Sequence, residues 1–299
     1  MSDDAVPVGR TPSSGLALVL GGGGAKGIAH IIVLEALDEL GLRPERIAGT
    51  SIGAVVGACY AAGMSGRDLR TYATDMLRMR PEVLRRLIAC RVGRFTDILR
   101  IGLTNPVLLD AERLLDAFLP AGLPDRFEGL AIPLTVVATD FHARQDIALA
   151  DGPLIPAIGG SIALPGLMRP VVHRGRVLVD GGTVNPLPVD KVQAPVVVAV
   201  DILEGAPRTN EIDDTVPEPW DAMFGSLTLM MQALSDIRIT QMRPTVLVRP
   251  PVSGFRVLDF FRAPEIFAAC DRTRDDVKRR IARALEATPA ILLEGPGRS

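Results

Sequence analysis

An α/β fold with a mostly parallel sheet and helices on both faces is what this chain predicts, and three observations lead there. Leu16–Leu20 is a short, wholly apolar run of the kind that forms a buried parallel strand. Helix-like patterns, among them Ser226–Met242 and Asp271–Ala287, alternate with further runs of that kind. Glycine-rich turns follow the first two strands, at Gly21–Gly24 and Gly49–Gly53.

Taken in order, residues 1–14 are polar and acidic and read as a flexible tail. The strand Leu16–Leu20 leads through the glycine loop into an apolar helix that ends near Leu40-Gly41, and a second strand around Arg46–Gly49 runs into an Ala/Gly-rich helix. Strands are expected at Pro133–Asp140, Asp146–Ala150, Val171–His173, Arg176–Val179, Val196–Leu203 and Thr245–Val248, with Arg174-Gly175 as a hairpin turn. Residues 67–130 interrupt the rhythm with a helical insertion. Nothing marks an interdomain linker, so residues 15–293 read as one domain and 294–299 as a C-terminal tail.

The 299 residues are 47% apolar with a mean hydropathy of +0.27, ample material for a core, and the net charge of −2 argues against general affinity for nucleic acid. Cys59, Cys90 and Cys270 are widely spaced and form no C-x-x-C pair, which suggests neither a disulfide framework nor a zinc site and fits a reducing compartment. The first residues lack the basic and apolar regions of a secretory signal, so the expected location is cytoplasmic. Residues 47–66 are uncharged and long enough to span a bilayer, but they contain five glycines and a strand-to-helix turn and suit a buried core helix better. Within 67–100, nine arginines face four acidic residues, and Leu84, Leu87, Ile88, Phe95, Ile98 and Leu99 add apolar side chains. Such a block suits either a solvated helical face or peripheral contact with an anionic membrane.

The chemistry concentrates at Ser51, in a Gly49-x-Ser51-x-Gly53 frame where a strand ends and a helix begins. This is the sequence form of a nucleophile elbow, in which a sharp turn exposes the serine oxygen. Gly22, Gly24 and Gly27 match G-x-G-x-x-G, yet the second strand ends in Gly49-Thr50-Ser51 rather than the acid a dinucleotide ribose needs, and Lys26 is followed by Gly27 rather than the Ser or Thr of a P-loop. The same glycines suit an oxyanion hole beside Ser51. Two bases are available to the serine. A triad would use Ser51, Asp140 and His173 in the chain order of α/β-hydrolases, with His30 and His142 as the other histidines. Alternatively Asp180, delivered by an apolar strand into Gly181-Gly182, would act alone; its bland reading is a turn cap, and Asp201 at the end of Val196–Val200 reads the same way.

Gly21-Gly-Gly-Gly-Ala-Lys-Gly-Ile-Ala-His30, Gly49-Thr-Ser-Ile-Gly53 and Asp180-Gly-Gly182, in this order and each after an apolar strand, resemble the patatin-like phospholipase family and its compact bacterial members. Ala138-Thr-Asp140, Gly160-Ser-Ile-Ala-Leu-Pro-Gly-Leu-Met168 and Leu258-Asp-Phe260 also resemble family segments, so the likeness covers roughly residues 15–270. The resemblance implies a three-layer α/β/α fold and a Ser51–Asp180 dyad that hydrolyses acyl esters, most often of lipids, through an acyl-enzyme. It implies an oxyanion hole from Gly22, Gly23 and Gly24, with Lys26, Gly27, Gly49, Gly53, Gly181 and Gly182 as supporting motif positions and with no metal or cofactor. Lys26 stands where relatives often carry arginine. The substrate pocket is expected from residues 67–130 and a Gly159–Pro170 loop. The rival expectation is a regulatory or membrane-binding protein that keeps this fold without useful catalysis.

Overall fold

The computed structural model describes residues 15–78, 80–91, 109–203 and 216–289. Both expected tails and the positions Arg94, Phe95, Ile98, Leu99 and Arg100 of the basic block lie outside these residues. Eight strands form one sheet: β1 (Leu16–Leu20), β2 (Arg46–Thr50), β3 (Leu134–Asp140), β4 (Gln145–Leu149), β5 (Val171–His173), β6 (Arg176–Asp180), β7 (Val196–Val200) and β8 (Val246–Val248). Their order is β5-β6-β3-β2-β1-β7-β8, with β4 also on β3. β1, β2, β3, β7 and β8 pair in parallel, whereas β4, β5 and β6 add antiparallel pairings at one end.

Alternation along β1 assigns the two faces. Leu16, Leu18 and Leu20 join the larger core, and Ala17 and Val19 join a smaller one with Ala48, Leu187, Val189 and Ala199. The helices are α1 (His30–Glu39), α2 (Ile52–Ala61), α3 (Gly66–Arg78), α4 (Arg80–Ala89), α5 (Ala111–Phe118), α6 (Leu154–Ile162), α7 (Pro219–Met242), α8 (Ala263–Asp271) and α9 (Arg274–Glu286). The larger core takes side chains from α1, α2, α6, α8 and α9, while Ile239 of α7 packs on the smaller one. Helices therefore cover both faces of a mixed, mostly parallel sheet.

Two helices differ from the expected ranges. α7 begins at Pro219, seven residues ahead of Ser226, because a proline in the first turn starts a helix without needing an apolar neighbour. The pattern read as Asp271–Ala287 is α9, which starts three residues later at Arg274, because Asp271 ends the preceding α8 and the chain turns at Arg272-Thr273, where both the N–H and the hydroxyl of Thr273 donate to the Cys270 carbonyl, at 2.9 and 2.7 Å. Residues 47–66 form β2 and α2 inside the core, and no helix among the described residues is long and apolar enough to cross a membrane.

The pairing of β3 creates the site. β4 lies along residues 136–140 on one edge of β3, so β2, paired with residues 134–137, and β6, paired with 138–140, must share the other. β2 runs parallel to β3 and β6 antiparallel, so the two approach each other head to head. Thr50 lies opposite Val137, and Asp180 lies opposite Ala138, its neighbour.

Gly53 shows how tightly α2 sits on the sheet. A Cβ there would run into the Leu20 carbonyl, and one at Gly49 would lie 2.7 Å from the Ala54 nitrogen. Gly53→Ala must push the first turn of α2 away from β1, and we expect it to cost about 1–3 kcal/mol, read as a lower denaturant midpoint with an unchanged slope.

Candidate active site

Ser51 sits between the last residue of β2 and the first of α2 with φ +54° and ψ −124°. A non-glycine residue rarely holds such a backbone, and it persists only where its surroundings fix it. Its hydroxyl donates to Asp180 Oδ2 at 2.6 Å. Both residues are buried. The other Asp180 oxygen, Oδ1, accepts the Gly182 N–H at 2.7 Å. Burial pushes the Asp180 carboxyl up to about 6, with the Ser51 and Gly182 hydrogen bonds holding it back. The turn-cap reading of Asp180 is thus correct for one oxygen, while the other faces the serine.

The triad partners lie elsewhere. His173, at the end of β5, is paired with Arg176, which lies four residues back along β6 from Asp180, roughly 13 Å at the rise of a strand. Asp140 accepts from Arg176 at 2.7 Å and from the N–H groups of His142 and Ala143. His30 is fully buried, and its Nε2–H donates to the Gly21 carbonyl at 2.8 Å. Burial lowers its pKa to about 4, so it is a neutral strut under the glycine loop.

That loop is clamped at both ends. Gly21 N–H donates to Val200 O at 3.1 Å, Gly22 N–H to Pro186 O at 2.9 Å and Ala25 N–H to Val257 O at 2.8 Å. Gly22 therefore spends its donor on the fold, and Gly23 and Gly24 lie between the clamps on the cavity wall. Their φ values of +152° and +58° require glycine. Gly22 itself lets the loop approach, since a Cβ there would lie 3.3 Å from Ser51 Cβ. The other motif positions allow similar approaches: Gly27 faces the Ile52 side chain, Gly181 the Val137 carbonyl, and Gly182 the Met231 side chain. Lys26 is buried, which lowers its pKa against the pull of Asp201. Asp201 caps the Leu203 N–H at 3.1 Å, as expected, and also pairs with Arg249.

Over Ser51 and Asp180 opens a cavity of about 480 Å³, within the range of small-molecule sites. The insertion lines one side with Leu69, Tyr72 and Met76 of α3, Leu87 of α4 and Phe118 of α5, and Leu164, Leu167 and Met168 contribute as expected. The supposed loop before them is not one, since Gly159–Ile162 completes α6. Sequence reasoning missed the opposite wall, built from Phe224, Leu227 and Met231 of α7 and from Val257, Phe260 and Phe261. Cys59 also lines the cavity, but burial pushes its thiol up to about 12, so it is no rival nucleophile. In the basic block, Arg85 and Arg86 pair with Glu82 and Arg70 with Glu35 and Asp271, while Leu84 and Ile88 stay exposed.

Fold and site together define an α/β protein with a strained serine bonded to a buried carboxylate at the foot of an apolar cavity. A family model described as patatin-like phospholipase matches residues 18–192, and the chain belongs to that family. It is 40% identical over 184 residues to an uncharacterized NTE family protein of Mycobacterium tuberculosis, a match covering 62% of this chain and 47% of the relative. Human patatin-like phospholipase domain-containing protein 6 is 28% identical over 278 residues, covering 84% of this chain and 19% of that protein. The chain thus spans about half the length of the mycobacterial relatives it matches, and less of the human one. Among solved structures, VipD from Legionella pneumophila aligns with a TM-score of 0.49 at 15% identity over 93% of this chain and 67% of that one. Human GIVD cytosolic phospholipase A2 aligns with a TM-score of 0.42 at 13% identity over 92% and 60%.

Proposed function

We propose that this protein is a serine acyl hydrolase that cleaves carboxylic esters of lipids or other apolar acyl compounds through an acyl-enzyme on Ser51. The observation that carries the reading is the 2.6 Å bond from the Ser51 hydroxyl to Asp180 beneath the apolar cavity. In the forward step Ser51 Oγ attacks the ester carbonyl and its proton passes to Asp180 Oδ2. The Gly23 and Gly24 N–H groups and the N-terminus of α2 stabilise the oxyanion. Collapse expels the alcohol, which takes the proton from Asp180. Water then attacks the acyl-enzyme by the same route, releasing the acid and restoring Ser51. Residues 15–293 act as one catalytic unit in this reading, in the cytoplasm. The exposed Leu84 and Ile88 beside the arginines of α4 favour peripheral contact with a lipid surface.

Asp180 accepts a proton only as a carboxylate. With its pKa raised to about 6, kcat/KM should fall tenfold per pH unit below about 6 and level off above it. An acid limb near 4 would mean that Asp180 is not the base.

The defining experiment is labelling with a fluorophosphonate probe, mapped by mass spectrometry and paired with a screen of acyl esters. Label on Ser51 with ester turnover is the expected result. A folded wild-type protein that neither labels nor turns over any ester would replace this reading with that of a non-catalytic binding protein.

A further inference from the structure

The last turn of α6 and the residue after it hold the backbones of both Ser51 and Asp180. Ser161 is fully buried, and its hydroxyl accepts the Ser51 N–H at 2.8 Å while donating to the Val137 carbonyl at 2.6 Å. Two residues later, the Ala163 carbonyl accepts the Asp180 N–H at 3.0 Å. Gly160, one residue before Ser161, lets α6 press onto Leu178 of β6, since a Cβ there would lie 2.7 Å from the leucine side chain. One short segment therefore contacts β2, β3 and β6 at the point where β2 and β6 meet head to head.

We infer that Ser161 is a positioning residue for ester hydrolysis, setting the separation of the Ser51 hydroxyl and Asp180 by fixing the Ser51 backbone from the same helix end that fixes the Asp180 backbone. The physical need is specific. The Ser51 N–H is buried at a residue with φ +54°, and a backbone in that region relaxes when the groups that hold it are removed. Ser161 satisfies that N–H with a side chain whose proton is committed to Val137, so its lone pairs face the elbow. Removing the hydroxyl orphans the Ser51 N–H and the Val137 carbonyl together. The elbow then turns, and the short Ser51–Asp180 bond lengthens. This inference rests on the hydrolase reading above, because it assigns Ser161 a role in that reaction.

The test compares wild type, Ser161→Ala and Ser161→Cys as purified full-length protein, with p-nitrophenyl butyrate as substrate and turnover counted per fluorophosphonate-titrated site. We expect kcat to fall about 10- to 100-fold in Ser161→Ala, the scale on which a small misplacement of reacting groups acts. KM should change by less than about twofold, because Ser161 touches no substrate. The acid limb should also move to higher pH. The groups bonded to the Asp180 carboxyl are the Ser51 hydroxyl from the elbow and Gly182 N–H from its own turn, with the neutral Met231 side chain facing that turn from α7. The serine bond is one of the two that hold its proton affinity down, and lengthening it releases that restraint. A loss of stability alone would lower the number of titratable sites and leave kcat per site and the acid limb unchanged.

Ser161→Cys keeps the size with a weaker acceptor and should fall between wild type and Ser161→Ala. It also decides the matter if Ser161→Ala does not fold. Wild-type kcat per site together with a wild-type acid limb, in whichever variant folds, would overturn the inference. Failure of the wild type itself to label or turn over would instead overturn the hydrolase reading, so the two failures are distinguishable.

Discussion

Ser51→Ala should abolish ester turnover, by on the order of 10⁶-fold, the scale on which removing the nucleophile acts in serine hydrolases, while leaving the protein folded. The loss follows from the chemistry, because among the described residues Ser51 is the hydroxyl bonded to the Asp180 carboxylate under the cavity, and without its oxygen no acyl-enzyme can form there. That folding survives follows from the structure. Ser51 occupies the N-cap of α2, where a serine side chain ordinarily stabilises a helix, but here it makes no cap bond, and its hydroxyl goes to Asp180 instead. Alanine at the same φ bears the same backbone strain, so that term does not change. What remains is a buried carboxylate without its serine partner, whose proton affinity rises because one of its two restraining hydrogen bonds is gone. A melting temperature within a few degrees of wild type, with no detectable turnover and no fluorophosphonate label, is the expected result. Retained turnover would move the nucleophile elsewhere, and an unfolded variant would show that the Ser51–Asp180 bond also supports the fold.

Ser51 and Asp180 were legible because each lies in a local pattern with a mechanical meaning, a strand that ends in glycine-flanked chemistry. The parallel strands were legible as well. β1 and β7 are buried on both faces and need no alternation, so their apolar runs are direct signals. The meeting of β2 and β6 was not legible. It depends on which edge of β3 the hairpin strand β4 occupies, and no residue of β2 or β6 carries that information. The wall contributed by α7 was hidden for a different reason. That helix exposes Trp220, Leu229, Met230 and Ile237 while turning Phe224, Leu227 and Met231 to the cavity, so its apolar residues surround it and mark no single face. Ser161 stood inside a segment that resembled the family, yet a lone serine followed by Ile-Ala-Leu-Pro gives no sign that its hydroxyl meets the elbow. The glycine loop shows the finer limit. Four consecutive glycines predict donors, but only the acceptors Val200, Pro186 and Val257, remote in sequence, determine which N–H groups are spent on the fold.

Asp180→Asn should lower kcat by about 10²- to 10⁴-fold, the worth of a positioned general base, and at the same time make the protein more stable at neutral pH. The amide has nearly the same shape and can still accept the Gly182 N–H, but it cannot take the serine proton. The stability change has a definite sign. The folded-state pKa of Asp180 is raised from 3.8 to about 6, so its contribution to stability is fully present below 3.8 and lost as pH rises through about 6, where a buried charge must be carried. Asparagine carries no charge at any pH, so the variant should melt above wild type at pH 8 and lose that advantage on acidification toward pH 4. A merely structural aspartate, ionised and well paired, would give the opposite result, with the asparagine variant less stable at pH 8. His173→Ala is the control for the base, and turnover within about twofold of wild type is expected, since His173 lies in β5 beside Arg176, which is four residues back along β6 from Asp180. Loss of turnover in His173→Ala with Asp180→Asn active would return the chemistry to a histidine. Loss confined to Asp180→Asn, together with the crossover in melting temperature, identifies one carboxylate that burial both destabilises and makes basic enough to take the serine proton.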